Sequence, residues 1–124
     1  MPNKISSSEW EVMNVVWERH TVTSAEVWAA LPPANRWAQK TVNTFLTRLI
    51  AKGVLQADKL GNVNVYKPAV SRDQCVRSES KAFLERVFRG AAGPLILHLC
   101  ESEPLSHQEI QQLEKLLKAK RRKE

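Results

Sequence analysis

Cysteine is nearly absent from this chain: only Cys75 and Cys100 occur among 124 residues. Neither belongs to a CxxC pair, so a disulfide framework and a thiolate metal cluster are both excluded as organising features. Two reduced, half-buried thiols are expected instead. Glycine is scarce as well, with four residues, and none of them builds a phosphate-cradling loop. His20, His98 and His107 are scattered without metal-ligand spacing; His98 and Cys100, two apart on a helix, point to different sides. HExxH, GxSxG and Walker patterns do not occur. An enzyme is therefore not expected, nor is a metal or cofactor. Long apolar runs are missing too, and the opening MPNKISSSE has no hydrophobic signal core, so the expectation is a cytoplasmic protein without membrane insertion.

The most informative absence is local. The segment WAQKTVNTFLTRLIAKG, Trp37 to Gly53, contains no acidic residue. Its apolar residues Val42, Phe45, Leu46, Leu49 and Ile50 recur at helical spacing and form one stripe. The other side carries Lys40, Thr41, Asn43, Thr44, Thr47, Arg48 and Lys52. A surface helix ordinarily mixes both signs and gains from Glu–Lys pairs; this one offers only cations, hydroxyls and an amide. Charge elsewhere sharpens the contrast. The chain is +6 in all, yet residues 1–35 hold four glutamates against Lys4 and Arg19. Residues 36–67 hold Arg36, Lys40, Arg48, Lys52, Lys59 and Lys67 against Asp58 alone, and the chain closes on KAKRRKE. Basic charge concentrated on one segment of an otherwise mild surface is the footprint of a polyanion binder.

Capping patterns and periodicity organise the rest. Ser8 and Glu11 form an S-x-x-E box opening a first helix, with Trp10, Met13, Val16 and Trp17 as its buried stripe. A short extended piece follows, then a second box, Thr23 with Glu26, opens a helix over about 24–31 that ends before Pro32-Pro33. The acid-free segment is the third helix, stopped by Gly53. Trp37 reads as a staple onto the core, and Trp10, Trp17 and Trp28 as core. Two short strands, about 54–59 and 63–67, meet at a Gly61-Asn62 turn, with Lys59 and Asn62 as contacts from the hairpin. Helix, short strand, helix, helix, hairpin is the order of a winged helix-turn-helix, whose third helix enters the major groove.

From Ser71 three more helical patterns follow, the last opened by a Ser106–Glu109 box. Their apolar residues exceed what about 45 residues can hide alone. The expectation is a homodimer through residues 71–117, with Phe83, Val87, Phe88, Leu95, Leu99, Ile110, Leu113 and Leu117 at its interface. The fold class is thus mainly helical with a small β-hairpin wing. The division is a DNA-binding domain at 1–70 and a helical dimerisation region with a basic tail at 71–124.

The residues EWEVMNVVW (9–17), the KTVNTFLTRLIAKG core of the third helix, the Tyr66–Pro68 close of the wing and FRGAAGPLILHLCESEPLSHQEIQQLEKLL resemble the penicillinase-repressor family, of the BlaI/MecI type. The resemblance implies a bacterial transcriptional repressor, homodimeric, binding a palindromic double-stranded DNA operator. It implies that Lys40, Thr41, Asn43 and Thr44 face the DNA, with an operator preference that depends on what stands at position 43. Family members that control β-lactam resistance are inactivated by proteolysis under a membrane sensor-protease. The matching candidate cleavage position here is His98-Leu99, where those repressors carry Asn-Phe. Copper-responsive relatives have a cysteine-rich motif, and this chain has only Cys75 and Cys100. The alternatives are a winged-helix module that docks another protein, and a repressor of the same fold with an unrelated inducer.

Overall fold

The computed structural model describes residues 4–123. Helix α1, Ser7–Arg19, is capped by Ser6: its hydroxyl accepts the Glu9 N–H at 3.2 Å, and the Glu9 carboxylate accepts the Ser6 N–H at 2.8 Å. The capping box is therefore two residues earlier than the Ser8–Glu11 pair expected. In SSSE-W-E, two serines, Ser6 and Ser8, stand three residues before a glutamate, and the choice falls where Glu9 can also be buried. The buried stripe shifts with it, to Glu9, Val12, Met13 and Val16. Trp10 and Trp17 flank this stripe half-buried, their rings 5.5 Å apart, and the Trp17 indole N–H donates to the Val70 carbonyl at 3.0 Å.

Helix α2, Ser24–Ala30, opens on the expected reciprocal box between Thr23 and Glu26. The cap's backbone and hydroxyl bonds hold the Glu26 carboxyl below its usual range. After Pro32 a single 3₁₀ turn, Pro33–Asn35, leads to Arg36 in a left-handed conformation (φ 53°). Trp28, expected in the core, is 45% exposed on this corner, and its indole N–H donates to the Trp37 carbonyl at 2.7 Å. The seven-residue α2 buries only Val27, so Trp28, one position on, faces outward.

Helix α3, Gln39–Ala51, buries Val42, Leu46 and Leu49; Phe45 is half-buried edge-on beneath Trp37 at 5.0 Å, and Ile50 is exposed. Its end is a Schellman motif. The Gly53 N–H (φ 78°) reaches the Ile50 carbonyl, the Val54 N–H reaches the Leu49 carbonyl, and Val54 packs beside Leu49 in full burial. Strands β1, Leu55–Leu60, and β2, Val63–Pro68, pair antiparallel with Leu60 opposite Val63 across Gly61-Asn62. Gly61 (φ 66°) supplies the positive φ that a two-residue hairpin turn needs. Val22, in the expected extended piece, exchanges both backbone bonds with Tyr66 at 3.0 and 2.7 Å and ties the hairpin to the helices. Val12, Met13, Val16, Val22, Val27, Val42, Leu46, Leu49, Val54 and Leu55 form the continuous core.

Helices α4, Arg72–Phe88, α5, Ala92–Ser102, and α6, His107–Arg122, complete the chain, α6 on the expected Ser106–Glu109 box. Packing divides the molecule into two units between Ser80 and Lys81, inside α4. The change of element at Ser71 lies ahead of this point because Cys75, near the start of α4, is buried with the N-terminal core. Burial pushes its thiol above the ordinary range, as expected of an inert packing residue. Cys100, read from the sequence as half-buried, is exposed on α5. In the second unit no residue of α5 or α6 is buried. Phe88, Leu95 and Leu113 are half-buried, while Phe83, Val87, Leu99, Ile110 and Leu117 are exposed, as are Ile96, Leu97 and Leu116. None of the described helices is long and apolar enough to cross a membrane.

Candidate nucleic-acid interface

With Val42, Leu46 and Leu49 seated in the core, the opposite face of α3 has to project outward. Lys40, Asn43, Thr44, Thr47 and Arg48 are exposed on it, and Thr41 is half-buried at its start. Ala38 is the N-cap and contributes no side-chain acceptor; the Thr41 N–H turns back to the Ala38 carbonyl at 3.0 Å, and the Gln39 and Lys40 amides are left for an external acceptor. Amides, helix dipole and Lys40 together make the start of α3 attractive to an anion.

The middle of the face has defined chemistry. Thr44 and Thr47 donate their hydroxyls back to the carbonyls of Lys40 (3.2 Å) and Asn43 (3.0 Å). Their protons are thus used internally, and each presents a methyl group and oxygen lone pairs outward. Asn43 accepts a hydrogen bond from the Ser24 hydroxyl at Oδ1, which fixes the amide and leaves both Nδ2 protons to donate. Ser24 is the first residue of α2, and this bond joins the start of α2 to the second turn of α3. Nothing in the sequence singled Ser24 out, since the partners are 19 residues apart and the Thr23 cap dominates the local pattern. Arg36, exposed just ahead of α3, is a further cation beside its start.

Lys52 is the exception among the residues expected on this face. Its ammonium turns inward, 2.5 Å from Glu9 Oε1 and 2.8 Å from the Lys4 carbonyl. The Glu9 side chain is 2% exposed and that of Lys52 24%. Burial pushes the Glu9 carboxyl up, but Lys52 and the Ser6 N–H outweigh it and hold the carboxyl below its ordinary value near 4.5. Lys52 is a strut between α1 and the end of α3, and the outward face loses that cation.

On the hairpin, Lys59 and Asn62 are exposed at the tip, and Lys67 pairs with Asp58 at 3.0 Å. The interface is therefore a surface of cations, an amide, hydroxyl oxygens and methyl groups, with the hairpin's Asp58 already paired to Lys67. Among the described residues, no group of His, Cys, Asp or Glu could hold a metal ion.

The penicillinase repressor family model matches residues 5–119. The chain belongs to that family. It is 36% identical over 114 residues to the penicillinase repressor of Bacillus licheniformis, covering 92% of this chain and 89% of the relative. It is 33% identical over 123 residues to the methicillin resistance regulatory protein MecI of Staphylococcus aureus strain N315, covering 97% and 100%. Among solved structures, the monomeric form of Bacillus licheniformis BlaI in complex with the blaP half-operator is similar, with 38% identity and a TM-score of 0.52, over 59% of this chain and 89% of that one. The matching BlaI structures give this family member a winged-helix N-terminal unit, and the family consists of repressors, not enzymes.

Proposed function

We propose that this family member is a DNA-binding transcriptional repressor that acts as a homodimer on an inverted-repeat operator. The acid-free outer face of α3, anchored by three buried residues, carries this reading. Lys40, Thr41 and Arg48 hold phosphates. Asn43 and Thr44, with Thr47, read base edges: the Asn43 amide toward adenine, the threonine methyls toward thymine. Lys59 and Asn62 bring the wing onto the backbone. The unburied apolar residues of α4, α5 and α6, chiefly Phe83, Val87, Phe88, Leu95, Leu99, Ile110, Leu113 and Leu117, meet a second copy and set the half-site spacing.

Release by proteolysis, under a membrane sensor-protease acting indirectly, belongs to the same reading and would act at His98-Leu99. Those residues lie within α5, where the His98 carbonyl also accepts the Ser102 hydroxyl at 2.8 Å. Cleavage there requires the helix to open first.

Substitutions on α3 and on the wing separate reading from holding. Thr44→Ala or Asn43→Ala is expected to cost about 1–3 kcal/mol on the cognate site while leaving random-sequence binding near wild type. Lys59→Ala is expected to weaken binding to every duplex and reduce the salt slope by about one unit. Gel-shift titrations across a salt series measure both; unchanged cognate affinity for Thr44→Ala would remove α3 from the reading role.

A further inference from the structure

At the wing tip Leu60 and Val63 stand directly opposite each other across the Gly61-Asn62 turn, 73% and 51% exposed. The register puts them on one face of the hairpin with Asp58 and Val65, and then Gln56 and Lys67; Lys59 and Asn64 lie on the other face. An aliphatic pair at the most projecting point of a hairpin contributes nothing to the core. Projecting strand edges ordinarily carry charge that discourages association. Isolated surface hydrophobics need no explanation, but a cross-strand pair on a functional element does.

The surroundings select the occupant. Lys59, at the same tip, is paired with no acidic side chain among the described residues, whereas Asp58, the acid on the aliphatic face, is neutralised by Lys67 at 3.0 Å. A tip with one uncompensated cation, no free anion and an aliphatic face fits a surface that is anionic outside and apolar between its charges. The backbone of duplex DNA, phosphates alternating with deoxyribose, is such a surface, and the wing is continuous with the α3 face that meets it.

We propose that Leu60 and Val63 pack against deoxyribose on the duplex beside each half-site, while Lys59 on the opposite face of the tip takes a phosphate. This rests on the DNA-binding reading above and adds an apolar, sequence-independent contact to it. Apolar contact releases no counterions, so its signature differs from that of a lysine.

The test uses the full chain on a fluorescein-labelled random-sequence duplex and on an inverted-repeat duplex recovered by selection, by anisotropy from low to moderate salt. Leu60→Ala and Val63→Ala are expected to weaken binding to both duplexes roughly five- to tenfold with the salt slope unchanged. Leu60→Lys is expected to bind well at low salt with a slope steeper by about one unit. Both alanine variants are expected to melt at the wild-type temperature, since the trimmed side chains are exposed. Wild-type affinity in both alanine variants overturns the contact, and so does a loss of dimer by Leu60→Ala in sedimentation, which would assign the tip to an interface between copies. If Thr44→Ala loses cognate affinity while Leu60→Ala does not, only this inference fails. If the wild type shows no salt-sensitive duplex binding, the underlying reading fails with it.

Discussion

Leu113→Asp is expected to yield a folded monomer whose affinity for the full inverted repeat falls by roughly 10²–10⁴, with half-site affinity close to wild type. In the proposed dimer one bound reading domain holds the other near its half-site, and that effective concentration, rather than any extra contact, supplies the difference. Leu113 is half-buried along α6, with Ile110 and Leu117 exposed beside it, so a carboxylate there would have to be desolvated at a copy–copy contact. Leu117→Asp guards the conclusion. Leu117 is exposed, so its replacement cannot empty a core, yet it is expected to dissociate the dimer in the same way. Sedimentation velocity at micromolar concentration reads the assembly, and anisotropy on half-site and full-site duplexes reads the binding. A wild type that sediments as a monomer, or an unchanged dimer in both variants, would remove the C-terminal helices from assembly.

Lys52→Met is expected to destabilise the N-terminal unit by about 2 kcal/mol at pH 7. Removing one partner of a buried ion pair costs more, but Lys52 is partly solvated and the value is reduced accordingly. The pH dependence carries the sign. In the wild type the Glu9 carboxyl is held below its unfolded value near 4.5. Its contribution is therefore fully present above that pH and is lost as pH falls through the lower, folded value. Without the lysine, its hydrogen bond and charge no longer lower the folded carboxyl, which rises relative to the wild type, so protonation costs the variant less. The gap between wild type and Lys52→Met is thus expected to narrow between pH 7 and pH 4 in urea titrations. The salt slope of duplex binding is expected to stay unchanged, since this ammonium faces Glu9. A slope lower by one unit would return Lys52 to the phosphate contacts.

The contrast between Lys52 and the rest of its helix shows where sequence reading succeeds. Stripes and stops are local: Val42, Leu46 and Leu49 repeat with the helix, Gly53 ends it, and the Thr23–Glu26 and Ser106–Glu109 boxes lie three residues apart. Periodicity therefore placed the α3 face and the hairpin turn. What escaped depends on chain segments meeting from far away. Lys52 finds Glu9 across 43 residues, and Trp17 finds the Val70 carbonyl across 53. The first capping box slipped by two residues because the run of serines permits two frames, and burial of Glu9 chose between them. Trp28 misled for a related reason: a short helix that buries one valine leaves its neighbour outside, however apolar that neighbour is. The wing tip was legible as a turn, yet its aliphatic pair became meaningful only once the register and exposures were known.

The central claim is that α3 reads DNA bases for a two-fold symmetric protein. Selection of binding sites from a random duplex library, run in parallel with the wild type and with an Asn43→Ala, Thr44→Ala double variant, tests it most directly. The account predicts that the wild type enriches an inverted repeat, with half-sites about one helical turn or a multiple apart. It predicts that the double variant relaxes the same positions in both halves while keeping their spacing. Enrichment of no repeat by the wild type, or of an identical repeat by the double variant, would contradict it.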